Sequence, residues 1–144
     1  MKQYIFWIVP FIIFIIYKKK YVKKAEAEIQ KFNILKDMET KQTQQLEFLK
    51  VNVFNGLKNL NQGFDAEEIY YFSESDFEIV LDRVEKIGIG ILGIEPWLNE
   101  KFYNVKSFDD YSNDCKDPKW YRKAFTEFKE DGEKNLLYAA SYQV

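Results

Sequence analysis

The sequence predicts an α+β chain: an N-terminal membrane helix and a long helical stalk, followed by a small sheet of three or four strands packed against two helices. Three observations predict it. Residues 4–17 are a fourteen-residue run without charge. Residues 25–62 repeat apolar side chains at three- and four-residue steps. From residue 63 onward, helical stripes alternate with short runs of β-branched residues. The chain therefore divides into an anchor with a basic flank (1–24), a helical stalk (25–62) and an acidic α+β domain (63–144). Charge divides it the same way. Residues 1–24 hold six lysines and no acids, 25–62 hold five bases and five acids, and 63–144 hold ten bases against eighteen acids, a net −8 within an overall −2. Such segregation points to different tasks at the two ends.

Composition bounds the chemistry. With 144 residues, 47% hydrophobic and 18% aromatic, the chain can bury one modest core beside an appendage. The absence of histidine removes Ser-His triads and His-ligated zinc sites. A single cysteine, Cys115, removes disulfide frameworks and thiolate clusters within the chain, and reads as a loop thiol without a role.

The uncharged run, Tyr4 to Tyr17, covers roughly 21 Å as a helix, less than the ~30 Å hydrocarbon core. Interfacial side chains extend it. Tyr4, Trp7 and Tyr17 supply aromatic-belt chemistry, and Lys18, Lys19 and Lys20 reach back to lipid headgroups. A cleaved signal peptide and an interfacial or buried helix are the rival readings; against the signal peptide, five of the six lysines follow the apolar run rather than precede it. That lysine excess places the remainder of the chain in the cytoplasm, as a single-pass protein of the inner membrane.

In the stalk, Ile29, Phe32, Leu35, Met38, Leu46, Leu49, Val53, Leu57 and Leu60 form the stripe. No proline interrupts residues 19–62, so one long helix or two stacked ones are expected, ending at "NQGFD" with Gly63 as the cap residue. The stripe packs on the domain or pairs with a second copy as a short coiled coil.

In the domain, Ile69 to Phe72 reads as a short extended run. Ser73 caps a helix with Asp76 in the capping-box place, and its buried stripe is Phe77, Val80, Leu81, Val84 and Ile87 before Gly88 closes it. Ile89 to Ile94 reads as a strand buried on both faces, ended by Pro96. Residues 101–106 suggest a second strand, and 107–117 an irregular acidic loop. Asp117 then caps a helix with Pro118 first and Trp120, Tyr121, Ala124, Phe125 and Phe128 on one face; Asp131-Gly132 turns the chain into a last strand, Leu136 to Tyr142.

Gly88, Gly90 and Gly93 spell the G-x-G-x-x-G of a dinucleotide loop, in the wrong order. Such a loop follows a strand and opens a helix, so that the helix N-terminus meets the phosphate. Here a helix runs into Gly88 and a strand follows. The glycines read instead as packing devices that let a helix or another backbone approach a central strand. Glu95 and Trp97 emerge beyond them, a charged group beside a large aromatic where a rigid strand ends, which suits a protein-binding surface.

At "FEIVLDRVEKIGIGILGIEPWL" the chain resembles the immunity proteins of bacterial polymorphic-toxin and contact-dependent inhibition systems, in particular small α+β families with a G-I-E-x-W strand, similar to the immunity protein 40 family. The likeness covers Ser73 to Leu98 and rests on Gly88, Gly93, Ile94, Glu95 and Trp97. It implies a non-enzymatic protein that binds and neutralises a cognate toxin. The membrane anchor departs from the usual soluble member.

The charge of the domain agrees with that implication. Asp109, Asp110 and Asp114, with Tyr111 and Trp120 near them in sequence, suit a basic partner surface such as a nuclease active site. The same charge argues against nucleic acid as a ligand. No cofactor, metal or small-molecule substrate is expected; the partners are a toxin and, through the N-terminus, a lipid membrane. The alternative is a membrane-anchored structural or adaptor protein of the cell envelope with a cytoplasmic protein-binding domain.

Overall fold

The computed structural model describes residues 5–144, the side chains of residues 5–18 excepted. It contains three helices, α1 (Ile5–Asn52), α2 (Glu74–Ile87) and α3 (Pro118–Glu130), and four strands, β1 (Gly90–Leu98), β2 (Lys101–Phe102), β3 (Lys106–Ser107) and β4 (Leu137–Gln143). The class is α+β with a small antiparallel sheet. The chain forms two compact units, Met1–Gln44 and Gln45–Val144.

Among the described residues no helix is long and apolar enough to cross a membrane. The expected membrane helix therefore has no support there; its uncharged run is fourteen residues, closed by three consecutive lysines. Of the residues assigned to it, Tyr4 lies outside the described residues, as do the side chains of Trp7, Tyr17 and Lys18; Lys19 and Lys20 are exposed. In the first unit Ile29, Phe32, Leu35 and Met38 are each at least 53% exposed, so this part of the stripe faces solvent.

Helix α1 ends at Asn52, well before the expected stop at Gly63. Val53 and Phe54 both donate their N–H groups to the Leu49 carbonyl, Gly56 takes a left-handed φ of 77°, and the Arg83 guanidinium binds the Val53 and Asn55 carbonyls at 2.6 and 2.7 Å. The Leu49 carbonyl thus keeps partners at the helix end, and Arg83 fixes two carbonyls of the turn that follows it. Residues 57–71 then form a loop organised by two asparagines. The Asn61 carboxamide donates to the Ala66 and Ile69 carbonyls and accepts from Gly63, while that of Asn59 accepts from Asn61 and Tyr71.

Strand β1 is the centre of the sheet. All pairings are antiparallel: β4 runs along one edge of β1, and β2 and β3 share the other. The β1–β2 hairpin turns on Asn99 and Glu100, both with positive φ, as a two-residue turn of matching twist requires. The expected strand over 101–106 is interrupted, because only its ends pair.

Pro96 does not end β1, for a geometric reason. Its partner on β4 is Tyr138, which exchanges both main-chain bonds with Phe72 on its other side, at 2.9 and 2.8 Å. Pro96 and Tyr138 are thus a non-hydrogen-bonded pair, where a missing N–H removes nothing from the β1–β4 ladder. The Pro96 carbonyl accepts from Tyr103 on the opposite edge.

Leu92 is the extra residue of a bulge, marked by a register shift between Ile91 and Gly93. The bulge lets Ile91 and Ile94, three residues apart, face the same side, while Leu92 itself is 37% exposed. β1 is therefore not buried on both faces. Its core face joins Phe77, Val80, Leu81 and Val84 of α2, the predicted apolar face of α3, and Leu49, Val53 and Phe54 at the end of α1. Ile87, expected in the α2 stripe, is 41% exposed. The caps form as the sequence predicts: the Ser73 hydroxyl accepts from Asp76, the Asp117 carboxylate accepts from Lys119, and Gly88 is left-handed at φ 80°.

Gly90 has a packing duty. A Cβ there would lie 2.5 Å from the Cys115 Sγ, whereas one at Gly93 would meet only the Lys106 carbonyl oxygen, at 3.6 Å. Cys115, expected to be idle, is buried: its thiol donates to Gln143 at 2.7 Å and its carbonyl accepts from Ile91 at 2.9 Å.

Two outcomes follow for stability in denaturant titrations. Tyr138 is fully buried and its hydroxyl has no hydrogen-bond partner. Tyr138→Phe is expected to leave stability unchanged or raise it by up to ~1 kcal/mol, and Tyr138→Ala to lower it by ~3–5 kcal/mol. Gly90→Ala is expected to lower it by ~1–3 kcal/mol through overpacking against Cys115, and less so in a Cys115→Ala background.

Candidate functional site

The acidic loop is built around an ion pair. Phe108–Asp110 form one 3-10 turn, with Asp109 and Asp110 exposed, and Asp114 is exposed further on. Tyr111 turns inward. Its hydroxyl donates to the Glu127 carboxylate, which also holds the Lys106 ammonium at 2.6 Å and has Lys123 at 4.0 Å. The Lys106 ammonium also stands 4.6 Å from the centre of the Phe128 ring. The Lys106 and Tyr111 hydrogen bonds hold the Glu127 carboxyl below its ordinary value, and burial with Glu127 beside it pushes the Tyr111 hydroxyl up.

Smaller contacts set the rest of the loop. The Asp114 carboxylate accepts from the Lys116 N–H at 2.9 Å, and the Asp114 N–H donates to Ser112 at 3.1 Å. Trp120 is only 2% exposed, and its indole N–H donates to the Cys115 carbonyl at 3.2 Å. It fills the core beneath the loop and offers no contact surface to a partner. Of the loop residues expected to meet a partner, Asp109, Asp110 and Asp114 stand outward, Tyr111 is half-buried as a brace and Trp120 is interior.

Glu95 and Trp97 lie together on the face of β1 turned away from the helices. Their register partners on β4, Ala139 and Leu137, alternate with Tyr138 of the core and Ala140, which packs against it. The Trp97 indole N–H donates to the Glu95 carboxylate. Its ring packs with Phe64 and Tyr71 at centroid distances of 5.4 and 5.6 Å. Both side chains are half-buried, so the pair is anchored in its own face rather than free at a strand end.

Two features went unread in the sequence. One is the open-face cleft lined by Tyr71, Gly93, Glu95, Val105, Ala139 and Ser141. The other is a larger groove of about 730 Å³ beside the 59–70 loop, with Asp65, Glu67 and Glu68 on its wall. The signal for the loop was present in the spacing of Asn59, Asn61 and Asp65, whose short polar side chains bind nearby backbone. Among the described residues no group of three or more acidic or cysteine side chains is placed to hold a metal ion. Comparison with family models, curated proteins and solved structures finds no match.

The sign of the Glu127 contribution is fixed by its lowered folded value. The stabilisation is complete above the ordinary value of 4.5 and is lost as pH falls through the lower folded one. Glu127→Gln is therefore expected to be less stable than the parent at neutral pH. It should also lose less on acidification below about pH 4.5, as followed by thermal melts across a pH series.

Proposed function

We propose that the chain is an immunity protein that binds a cognate bacterial toxin and neutralises it by covering a basic active-site surface, without catalysis of its own. In this reading the apolar N-terminal run holds it to the inner membrane, with residues 63–144 in the cytoplasm. The observation that carries the proposal is charge: eighteen acids against ten bases in those residues. No charged side chain is buried among the described residues, so the excess lies at the surface. An acidic surface of that kind accelerates encounter with a basic one and rejects nucleic acid. Asp109, Asp110 and Asp114 are the best-placed contacts because Tyr111, Glu127 and Lys106 brace the loop beneath them. Glu95 is the other carboxylate proposed to meet the toxin, and Trp97 orients it.

One observation favours the second reading, an envelope adaptor. The exposed stripe at Ile29, Phe32, Leu35 and Met38 is apolar surface of the sort that recruits a partner helix. Co-expression separates the two. An immunity protein rescues cells making the toxin encoded beside it, and an adaptor does not.

Reversing Asp109, Asp110 and Asp114 to lysine is expected to slow association with the toxin about tenfold or more at low salt. The salt dependence of the on-rate should flatten as well, read by stopped-flow or surface binding. An unchanged on-rate would remove electrostatic steering by this loop.

A further inference from the structure

The helices cover one face of the sheet, and on the other a cleft of about 130 Å³ opens over β1 and β4. Its floor is made of small residues, Gly93, Ala139 and Ser141, and Tyr71 and Val105 stand at its sides. Gly93 keeps it open. A Cβ there would touch only the Lys106 carbonyl oxygen, so nothing fills the space above it.

The charged group in the cleft is Glu95. It accepts the Trp97 indole N–H, and the neighbouring Asp65 accepts the Tyr71 hydroxyl at 2.6 Å. Among the described residues neither carboxylate takes part in an ion pair. Burial, with Asp65 and Glu95 beside it, pushes the Tyr71 hydroxyl above its ordinary range, so it remains a neutral donor between two anions. Half-buried negative charge without a counter-charge attracts a cation.

Size selects the kind of cation. Small-molecule sites occupy ~300–1,000 Å³, well above this cleft. At ~30 Å³ per water, the cleft holds the equivalent of about four waters, room for one aliphatic stem with a charged head. We propose that the cleft receives a single lysine or arginine side chain of a protein partner, its stem over Gly93 and its head on Glu95. The inference deepens the reading of the domain as a toxin-binding module and rests on it for the partner.

The test uses the full-length ¹⁵N-labelled chain in an uncharged maltoside detergent, titrated with n-butylammonium chloride at constant ionic strength, with n-butanol as control. Saturable shifts of the Gly93 and Ser141 amides and of the Trp97 indole N–H are expected with butylammonium alone. Glu95→Gln keeps an acceptor for Trp97 and removes only the charge; it should weaken the apparent affinity about tenfold. Gly93→Val should abolish the shifts by filling the cleft, with the rest of the spectrum in place. Absence of saturable shifts, equal shifts from butanol, or equal affinity in Glu95→Gln would overturn the proposal. Toxin rescue is scored separately. Butylammonium binding by a chain that gives no rescue would leave the cleft standing and remove the immunity reading, and rescue without butylammonium binding would do the reverse.

Discussion

The fold depends on how Tyr138 is used. Its ring packs with Phe77 of α2 at 5.4 Å and with Phe125 and Phe128 of α3 at 5.1 and 6.4 Å, so both helices meet the sheet through one side chain. Its main chain exchanges both of its hydrogen bonds with Phe72, donating one and accepting the other, which ties the segment before α2 to the sheet edge. That commitment leaves nothing to share with β1 at the same position, which is why proline is tolerated opposite. Burial pushes its hydroxyl up to about 12, so the phenol stays neutral inside the core. Arg122 adds a peripheral clasp, binding Asp82 and Glu85 of α2 from α3 at 2.6 and 2.7 Å.

Where the sequence carried a local chemical signal, the structure was legible from it. The Ser73 and Asp117 caps, the Gly88 stop, the Pro118 start and the whole buried face of α3 follow from side chains that act within a turn of themselves. What was missed depended on distant partners. The stop of α1 at Asn52 needs Arg83 from another helix, although Asn55-Gly56 is a turn signal that stood in plain view. The passage of β1 through Pro96 could not be read without knowing that Tyr138 bonds elsewhere.

The candidate site divides in the same way. The exposure of Asp109, Asp110 and Asp114 follows from an acidic, glycine-free loop with no apolar period. The interior position of Trp120 conflicts with its place in the linear sequence beside those acids, but agrees with its place on the α3 stripe, and the helical period decides. Glu95 and Trp97 were legible as neighbours on one face, since alternate residues of a strand share a side. The cleft between Glu95 and Ser141 was not, because its floor is formed by side chains that are missing or small.

The bulge at Leu92 sets the phase of everything after it in β1. Because one added residue separates Ile91 from Ile94, the core side continues through Ile94 and Pro96, and the open side through Gly93, Glu95 and Trp97. Side-chain period in a strand is two, so pairing Leu92 regularly in place of bulging it would exchange the two sets and turn Glu95 inward. The bulge also makes the division useful. Beyond it, the outward positions can change identity one at a time while the inward ones keep their contacts with the helices.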